Sequence, residues 1–266
     1  MKPKVLVFSG YGIHSEEETK YCFELFGAKA DIVHINDLID GYCALGKYQI
    51  LALPGGFSYG DDTGAGNAYA HKLKNHLWDG IQKFINGDKL VIGICNGFQI
   101  LVNLGMVPAL EKRYGQVQAA LLPNRTARLI CRWVDMKVSA KSPWLAGMDT
   151  FSAPIAHGEG KFYATPENLE KIRQRKLIAL VYTKGKMSTY LDYAANPNGS
   201  TKDIAGIIDE SGRILGMMPH PERGIYAFQR PDWGVIKEKC KRLGKKFPLY
   251  SDSAQIFRNA VNYFLH

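Results

Sequence analysis

The chain has 266 residues, of which 46% are hydrophobic and 22% are charged, as is usual for a globular protein with a full core. No apolar run approaches the ~20 residues of a membrane helix, and five scattered cysteines without Cys-x-x-Cys spacing argue against a disulfide framework or a zinc site. The formal net charge of +9 favours anionic partners, but the basic residues are not interleaved with stacking aromatics, so no nucleic-acid binding is expected.

Short apolar strands alternate with amphipathic segments through the first hundred residues. The predicted strands are 4–8, 31–35, 49–53 and 90–94, and the predicted helices are 16–26, 68–85 and 96–104. Buried β-branched runs that alternate with helices predict an α/β fold with a doubly wound, mostly parallel sheet and helices on both faces. Because the first strand begins so near Met1, we expect no signal peptide, and the scattered cysteines favour a reducing, cytoplasmic location.

The second half of the chain has a different pattern of predicted elements, with short strands separated by tight turns. The predicted strands are 127–138, 177–183, 188–193, 204–208 and 213–217, and a last helix is predicted over 253–264. This pattern predicts an antiparallel part, either as an extension of the main sheet or as a small flanking sheet. We find no repeat and no linker, so residues 1–266 are expected to form one domain. The basic residues crowded into 237–246 predict a solvated surface, an acidic partner or a phosphorylated substrate.

Cys95 stands where a buried strand meets a helix. Gly93 and Gly97 lie two residues to either side, and this is the pattern of a nucleophile elbow, a turn too tight for side chains at the flanking positions. The amino end of the helix favours a thiolate over a thiol. The sequence therefore predicts Cys95 as a nucleophile at the carboxyl edge of the sheet, where such folds bind ligands.

A base and a carboxylate follow late in the chain, in the segment Met-Pro-His-Pro-Glu. The two prolines predict an extended backbone, in which His220 and Glu222 point the same way and the carboxylate orients the imidazole. The expected oxyanion donors are backbone amides at Asn96, at the start of the helix, and at Gly55 and Gly56, which follow another buried strand. Asp61 and the residue after it are more readily interpreted as a helix cap than as metal ligands, so no metal site is predicted.

Five motifs together resemble the triad, or class I, glutamine amidotransferases, and within them the family of phosphoribosylformylglycinamidine synthase glutaminases. They are PGGFSYGD (54–61), GICNGFQ (93–99), AHGEG (156–160), NPNGS (196–200) and MMPHPER (217–223). The motifs occur in the family's order and the resemblance covers nearly the whole chain. One departure is the turn after the first strand, GYGIHSE (10–16), where the family usually carries an asparagine.

The resemblance implies a reaction and a partner. Cys95 would attack the carboxamide of L-glutamine, His220 would act as base and then acid, and Glu222 would orient it, while Gln99 and His157 are candidate substrate contacts. Ammonia would pass to a separate synthetase subunit that binds ATP, magnesium and formylglycinamide ribonucleotide, in some systems with a small third subunit. This chain has no glycine-rich phosphate loop, so no cofactor is expected on it.

Two other functions remain open at this point. The same elbow could serve a γ-glutamyl hydrolase or another cysteine-elbow hydrolase, although those enzymes do not explain the first and fourth motifs. The chain could also be a non-catalytic regulatory binding subunit that keeps the fold. Loss of Cys95, His220 or Glu222 would favour that interpretation, and all three residues are present.

Overall fold

The structure is a computed structural model that describes residues 2–265, and its helices and strands are numbered here in chain order. The strands are β1 (Lys4–Ser9), β2 (Lys29–His34), β3 (Ile50–Leu53), β4 (Leu90–Ile94), β5 (Ala120–Pro123), β6 (Ile130–Val138), β7 (Thr150–His157), β8 (Glu159–Tyr163), β9 (Ile178–Thr183), β10 (Ile204–Ile208) and β11 (Ile214–Met217). The helices are α1 (Glu16–Leu25), α2 (Ile35–Ile39), α3 (Asn67–His76), α4 (Trp78–Asn86), α5 (Asn96–Asn103), α6 (Pro166–Gln174), α7 (Lys186–Tyr190), α8 (Trp233–Arg242) and α9 (Gln255–Asn262). None of the helices in this part of the chain has the length and apolar content of a membrane span.

A nine-stranded mixed sheet organises the molecule, in the order β2-β1-β3-β4-β11-β10-β9-β6-β7. The five strands from β2 to β11 are parallel, and every pairing from β11 to β7 is antiparallel. The predicted α/β class with a mostly parallel sheet is therefore confirmed, and the antiparallel part continues the main sheet. A separate two-stranded sheet joins β5 to β8.

Burial explains why the parallel strands form. Every residue of β3 and β4 is buried, as is expected for strands that are covered on both faces. Helix α5 packs against β4 and β11, and a Cβ atom at Gly216 would lie only 2.1 Å from the ring of Phe98. The helix that carries the elbow is thus pressed directly onto the last parallel strand.

Two elements differ from their predictions. The helix predicted over 68–85 is broken at Leu77, whose φ of −126° separates α3 from α4. The strand predicted over 188–193 is wrong, because residues 188–190 end the short helix α7 and the next two residues form a turn. The buried carboxylate of Asp135 accepts hydrogen bonds from the amides of Met187 (3.1 Å) and Ser188 (2.8 Å), which stabilises a helix start there.

Several elements of the second half were not predicted at all. They are β5, β7, β8, α6 and α8. Strand β7 contains Pro154 and lies at the sheet edge, where a missing amide is tolerated. The basic residues of 237–246 lie on α8 and just beyond it, and no residue of that helix is buried.

Candidate active site

The backbone at Cys95 makes the sharp turn that the sequence predicts. Cys95 has φ 53° and ψ −107°, a conformation that is strained for a side-chain-bearing residue, and its amide donates to the carbonyl of Met217 at 2.8 Å. A Cβ atom at Gly97 would lie 1.8 Å from the carbonyl oxygen of Leu53, and one at Gly93 would lie 2.5 Å from the carbonyl oxygen of Gly97. Both glycines are therefore required because main chain packs on main chain there.

The structure brings His220 and Glu222 together. The imidazole Nδ1 lies 2.5 Å from Glu222 Oε1, and both side chains are buried. The extended backbone expected here is wrong, because residues Pro221–Gly224 form a 3-10 turn, but the two side chains still meet. The amide of His220 donates to the carbonyl of Pro154 at 2.8 Å, so β7 anchors this segment.

The other imidazole nitrogen is the one available to Cys95. Within residues 2–265, Nε2 of His220 is buried without a hydrogen-bond partner. Burial by itself lowers the pKa of His220, but the nearby Glu222 and Cys95 raise it to about 10. The site therefore favours the imidazolium form of His220. The Cys95 sulfur, 5% exposed, lies 3.8 Å from the carbonyl oxygen of Ala156.

Gly55 lies against the imidazole. A Cβ atom at Gly55 would be 2.6 Å from His220 Cε1, and the Gly55 carbonyl accepts hydrogen bonds from the amides of His14 and Ser15, each at 3.2 Å. Arg223 donates to Ser15 Oγ at 2.7 Å. The turn at which the sequence departs from its family therefore holds the loop beside the triad.

The three amides predicted as oxyanion donors are free to bind a ligand. The turn after β3 contacts the turn after β1 through the amide of Phe57, which donates to the carbonyl of Gly12 at 2.9 Å. Across the described range 2–265, the amides of Gly55, Gly56 and Asn96 donate to no other group. The amide of Asn96 also begins α5, where the helix dipole favours negative charge.

The side chains of Asn96 and Gln99 join three of the motifs. Asn96 accepts from the amide of Ser58 (3.2 Å) and donates to Gln99 Oε1 (2.9 Å), while Gln99 Nε2 donates to the carbonyl of Glu159 (2.7 Å). Both ends of the Gln99 amide are thus bonded within the protein. In this structure Gln99 holds the turn at Glu159 in place.

Asp61 belongs to the same network. It accepts from Asn96 Nδ2 at 3.2 Å. Burial, followed by the nearby charge of Glu159, raises its pKa to about 6. Among residues 2–265, no group of three or more histidine, cysteine or acidic side chains is arranged to hold a metal ion.

His157 ends β7 on the far side of the site. Its Nδ1 lies 3.0 Å from Asn124 Oδ1, and its Nε2 is buried and bonded to nothing else in the described chain. Burial, with a smaller effect of the His220 charge, lowers the pKa of His157 to about 3, so the ring is neutral. A neutral ring with one free nitrogen can bind a polar ligand.

Sequence reasoning missed two polar side chains near the site. The buried hydroxyl of Tyr182 on β9 and Nε of Arg132 on β6 have no hydrogen-bond partner within 2–265. Burial and then the charge of Cys95 raise the pKa of Tyr182, so the phenol stays protonated. No local sequence signal marks either residue, because their proximity arises only from the pairing of distant strands.

Comparison with known proteins gives a consistent result over the whole chain. The family model of the CobB/CobQ-like glutamine amidotransferase domain matches residues 2–264. A phosphoribosylformylglycinamidine synthase subunit PurQ of Methanococcus maripaludis is 48% identical over 98% of this chain and 97% of its own length. A subunit of the same name from Dehalococcoides mccartyi is 40% identical over 98% of each chain. The structure of PurLQS from Thermotoga maritima contains a chain with a TM-score of 0.71 and 27% identity, with 99% of both chains covered.

Proposed function

The chain belongs to the family of CobB/CobQ-like glutamine amidotransferases, and we propose that within it the chain serves as the glutaminase subunit of a phosphoribosylformylglycinamidine synthase. The single observation that carries the chemistry is the pairing of His220 Nδ1 with Glu222 at 2.5 Å, which leaves Nε2 for the thiol of Cys95. The full-length relatives are named as synthase subunits, which favours this function over a γ-glutamyl hydrolase or a non-catalytic subunit.

In the proposed first step, the Cys95 sulfur attacks the carboxamide carbon of glutamine. The proton of the Cys95 thiol is held on Nε2 of His220, and Glu222 stabilises this imidazolium. The amides of Asn96, Gly56 and Gly55, which donate to no other group within 2–265, are the proposed donors to the oxygen that gains negative charge. One such donor is typically worth ~10²–10³ in rate.

In the proposed second step, His220 returns the proton to the departing nitrogen. The carbon–nitrogen bond breaks, ammonia leaves and a γ-glutamyl thioester remains on Cys95. Water, deprotonated by the same imidazole, then releases glutamate and restores the thiol. These reaction steps need no metal or cofactor on this chain.

The ammonia is used by a partner. We infer a separate synthetase subunit that binds ATP, magnesium and formylglycinamide ribonucleotide and converts the last to formylglycinamidine ribonucleotide, with a small third subunit in some assemblies. Because glutamine hydrolysis without an acceptor is wasteful, we expect low glutaminase activity until the partner docks. Equal glutaminase rates with and without the synthetase subunit contradict this control.

The assembled synthase tests the proposed function. Cys95→Ala is expected to abolish synthesis with glutamine and to leave synthesis with ammonia unchanged, whereas the exposed Cys131→Ala is the control that keeps both. A glutamine-like diazo-ketone is expected to label Cys95 alone. Equal loss of both activities, or labelling at Cys22 or Cys43, contradicts the assignment.

A further inference from the structure

Three polar side chains lie on one face of the antiparallel part of the sheet. In the register of β6 with β7, His157 stands opposite Ile130 and Arg132 stands opposite Ile155. In the register of β6 with β9, Tyr182 stands opposite Met136. Since residues 130, 132 and 136 are separated by even numbers along one strand, all three polar side chains project to the same side.

The same three side chains carry buried polar atoms that the protein leaves unused. These atoms are Nε2 of His157, Nε of Arg132 and the hydroxyl of Tyr182, and none has a hydrogen-bond partner among the residues described, 2–265. Burying an unpaired polar group costs free energy, so several together on one face indicate a place for a polar ligand.

This face borders the nucleophile. The Cys95 sulfur lies 3.8 Å from the carbonyl oxygen of Ala156, and Ala156 is the residue between Ile155, opposite Arg132, and His157. The proximity of Cys95 is also among the causes that raise the pKa of Tyr182. A ligand that touches Arg132 and Tyr182 can therefore reach the sulfur with its other end.

The chemistry of the three groups selects the end of the substrate. His157 is neutral, so Arg132 supplies the positive charge. Its guanidinium is held by a hydrogen bond from Nη2 to the carbonyl of Ala194 at 2.6 Å and lies 4.9 Å from the ring centre of Tyr193. A guanidinium held in this way, with a buried Nε–H that has no partner among residues 2–265, next to a phenol that stays protonated, is suited to a carboxylate.

We propose that Arg132 and Tyr182 form the binding subsite for the α-carboxylate of glutamine and so place its carboxamide at Cys95. The inference rests on the proposed function, because it assigns the other end of the same substrate. It adds two binding residues from strands β6 and β9 to a site otherwise built at the carboxyl edge of β3, β4 and β11.

A substrate without the carboxylate tests the subsite. L-glutamine and 4-aminobutanamide carry the same carboxamide and amine, and they differ in the α-carboxylate alone. With the full chain bound to its synthetase subunit, we expect the wild type to prefer glutamine in kcat/KM by ~10- to 100-fold, the usual range for a charge-assisted pair.

Variants then assign that preference to residues. Arg132→Gln is expected to reduce kcat/KM for glutamine by about the size of the preference and to leave the rate with 4-aminobutanamide nearly unchanged. Tyr182→Phe, which removes only the hydroxyl, is expected to reduce the preference by several-fold. Arg128→Gln is the matched control, since Arg128 lies on the same segment with an exposed side chain. The diazo-ketone labelling rate gives a second measure.

The outcomes separate the two proposals. If both variants hydrolyse the two substrates with the wild-type preference, or slow both equally, the subsite is wrong while the glutaminase assignment stands. If the wild-type assembly hydrolyses neither substrate, the glutaminase assignment itself is wrong, and the subsite with it.

Discussion

The two halves of the sheet contribute to the site in different ways. The parallel half supplies main chain: the strained turn at Cys95, the close approach of Gly97 to Leu53, and the free amides of Gly56 and Asn96. The antiparallel half supplies the side chains of His157, Arg132 and Tyr182 with their unused polar atoms. Backbone packing therefore fixes the reacting atoms, whereas side chains that can adjust form the surroundings of the substrate.

The largest expected effect comes from adding one methyl group in the parallel half. In Gly97→Ala the new Cβ meets the backbone carbonyl of Leu53 at 1.8 Å, and neither main chain can move without breaking the β3–β4 pairing. We expect the free energy of unfolding to fall by more than ~3 kcal/mol, measured by urea denaturation. Gly46→Ala is the control, because a Cβ there meets nothing within 4 Å. Equal stability of the two variants would contradict the claim that main-chain packing requires glycine at position 97.

The next effect concerns the triad, where the two halves meet. Burial lowers the pKa of His220, while Glu222 and Cys95 raise it to about 10. In Glu222→Gln burial prevails, the imidazolium is disfavoured at neutral pH, and glutaminase activity is expected to fall by ~10²- to 10⁴-fold.

The pH dependence of alkylation measures this change directly. The rate at which iodoacetamide modifies Cys95 is expected to rise at a higher pH in Glu222→Gln than in the wild type, because the thiolate loses its cationic partner. Glu17→Gln, on the exposed side of α1, is the control. An unshifted profile in Glu222→Gln argues against the charge pair.

A smaller effect is expected for the same methyl addition in β8, the strand that follows β7 of the antiparallel half. In Gly160→Ala the new Cβ meets side chains, at 2.6 Å from His157 Nδ1 and 2.8 Å from Met218 Cε. These can shift, so we expect a folded protein whose kcat/KM is about 10-fold lower, because His157 is displaced. Gly158→Ala, whose Cβ has open space, is the matched control in the same turn. Loss of fold comparable to Gly97→Ala would erase the contrast between the halves.

The smallest effect is on stability. Burial, and then the charge of Glu159, raises the pKa of Asp61 from 3.8 to about 6, so folding favours the protonated carboxyl. The stability that this protonation contributes is fully present below pH 3.8 and is lost as the pH rises through 6. The neutral Asp61→Asn is therefore expected to raise Tm by at most ~3 °C at pH 8 and to match the wild type near pH 4. Asp62→Asn, at an exposed position, is the control. A gain of the same size at both pH values contradicts the assignment to Asp61 ionisation.

The predictability of the two halves differs as well. Strands β1, β3 and β4 were predicted to within one residue, since they are buried apolar runs whose character is visible locally. Segment 188–193 was mistaken for a strand because its helix depends on a carboxylate at Asp135, more than fifty residues away. Strand β7 mixes polar residues with a proline and was missed entirely.

The residues of the site also differ in whether the sequence alone could predict them. Cys95, His220 and Glu222 could be proposed from sequence because short motifs carry them, and the structure places His220 and Glu222 in contact. Arg132 and Tyr182 could not, because their common direction follows from the registers of β6 with β7 and β9. Gln99 was also proposed from its motif, and the structure shows its amide bonded to Asn96 and to the carbonyl of Glu159.

The position of β11 has a consequence for biosynthesis of the chain. Residues 214–217 pair with residues 91–94, so the strand that completes the sheet beside Cys95 leaves the ribosome more than a hundred residues after its neighbour. Until then the nascent chain holds a thiol without its imidazole. An unfinished polypeptide therefore cannot hydrolyse glutamine through this triad. The triad is completed only when β11 pairs with β4, a long-range pairing of the kind that forms slowly.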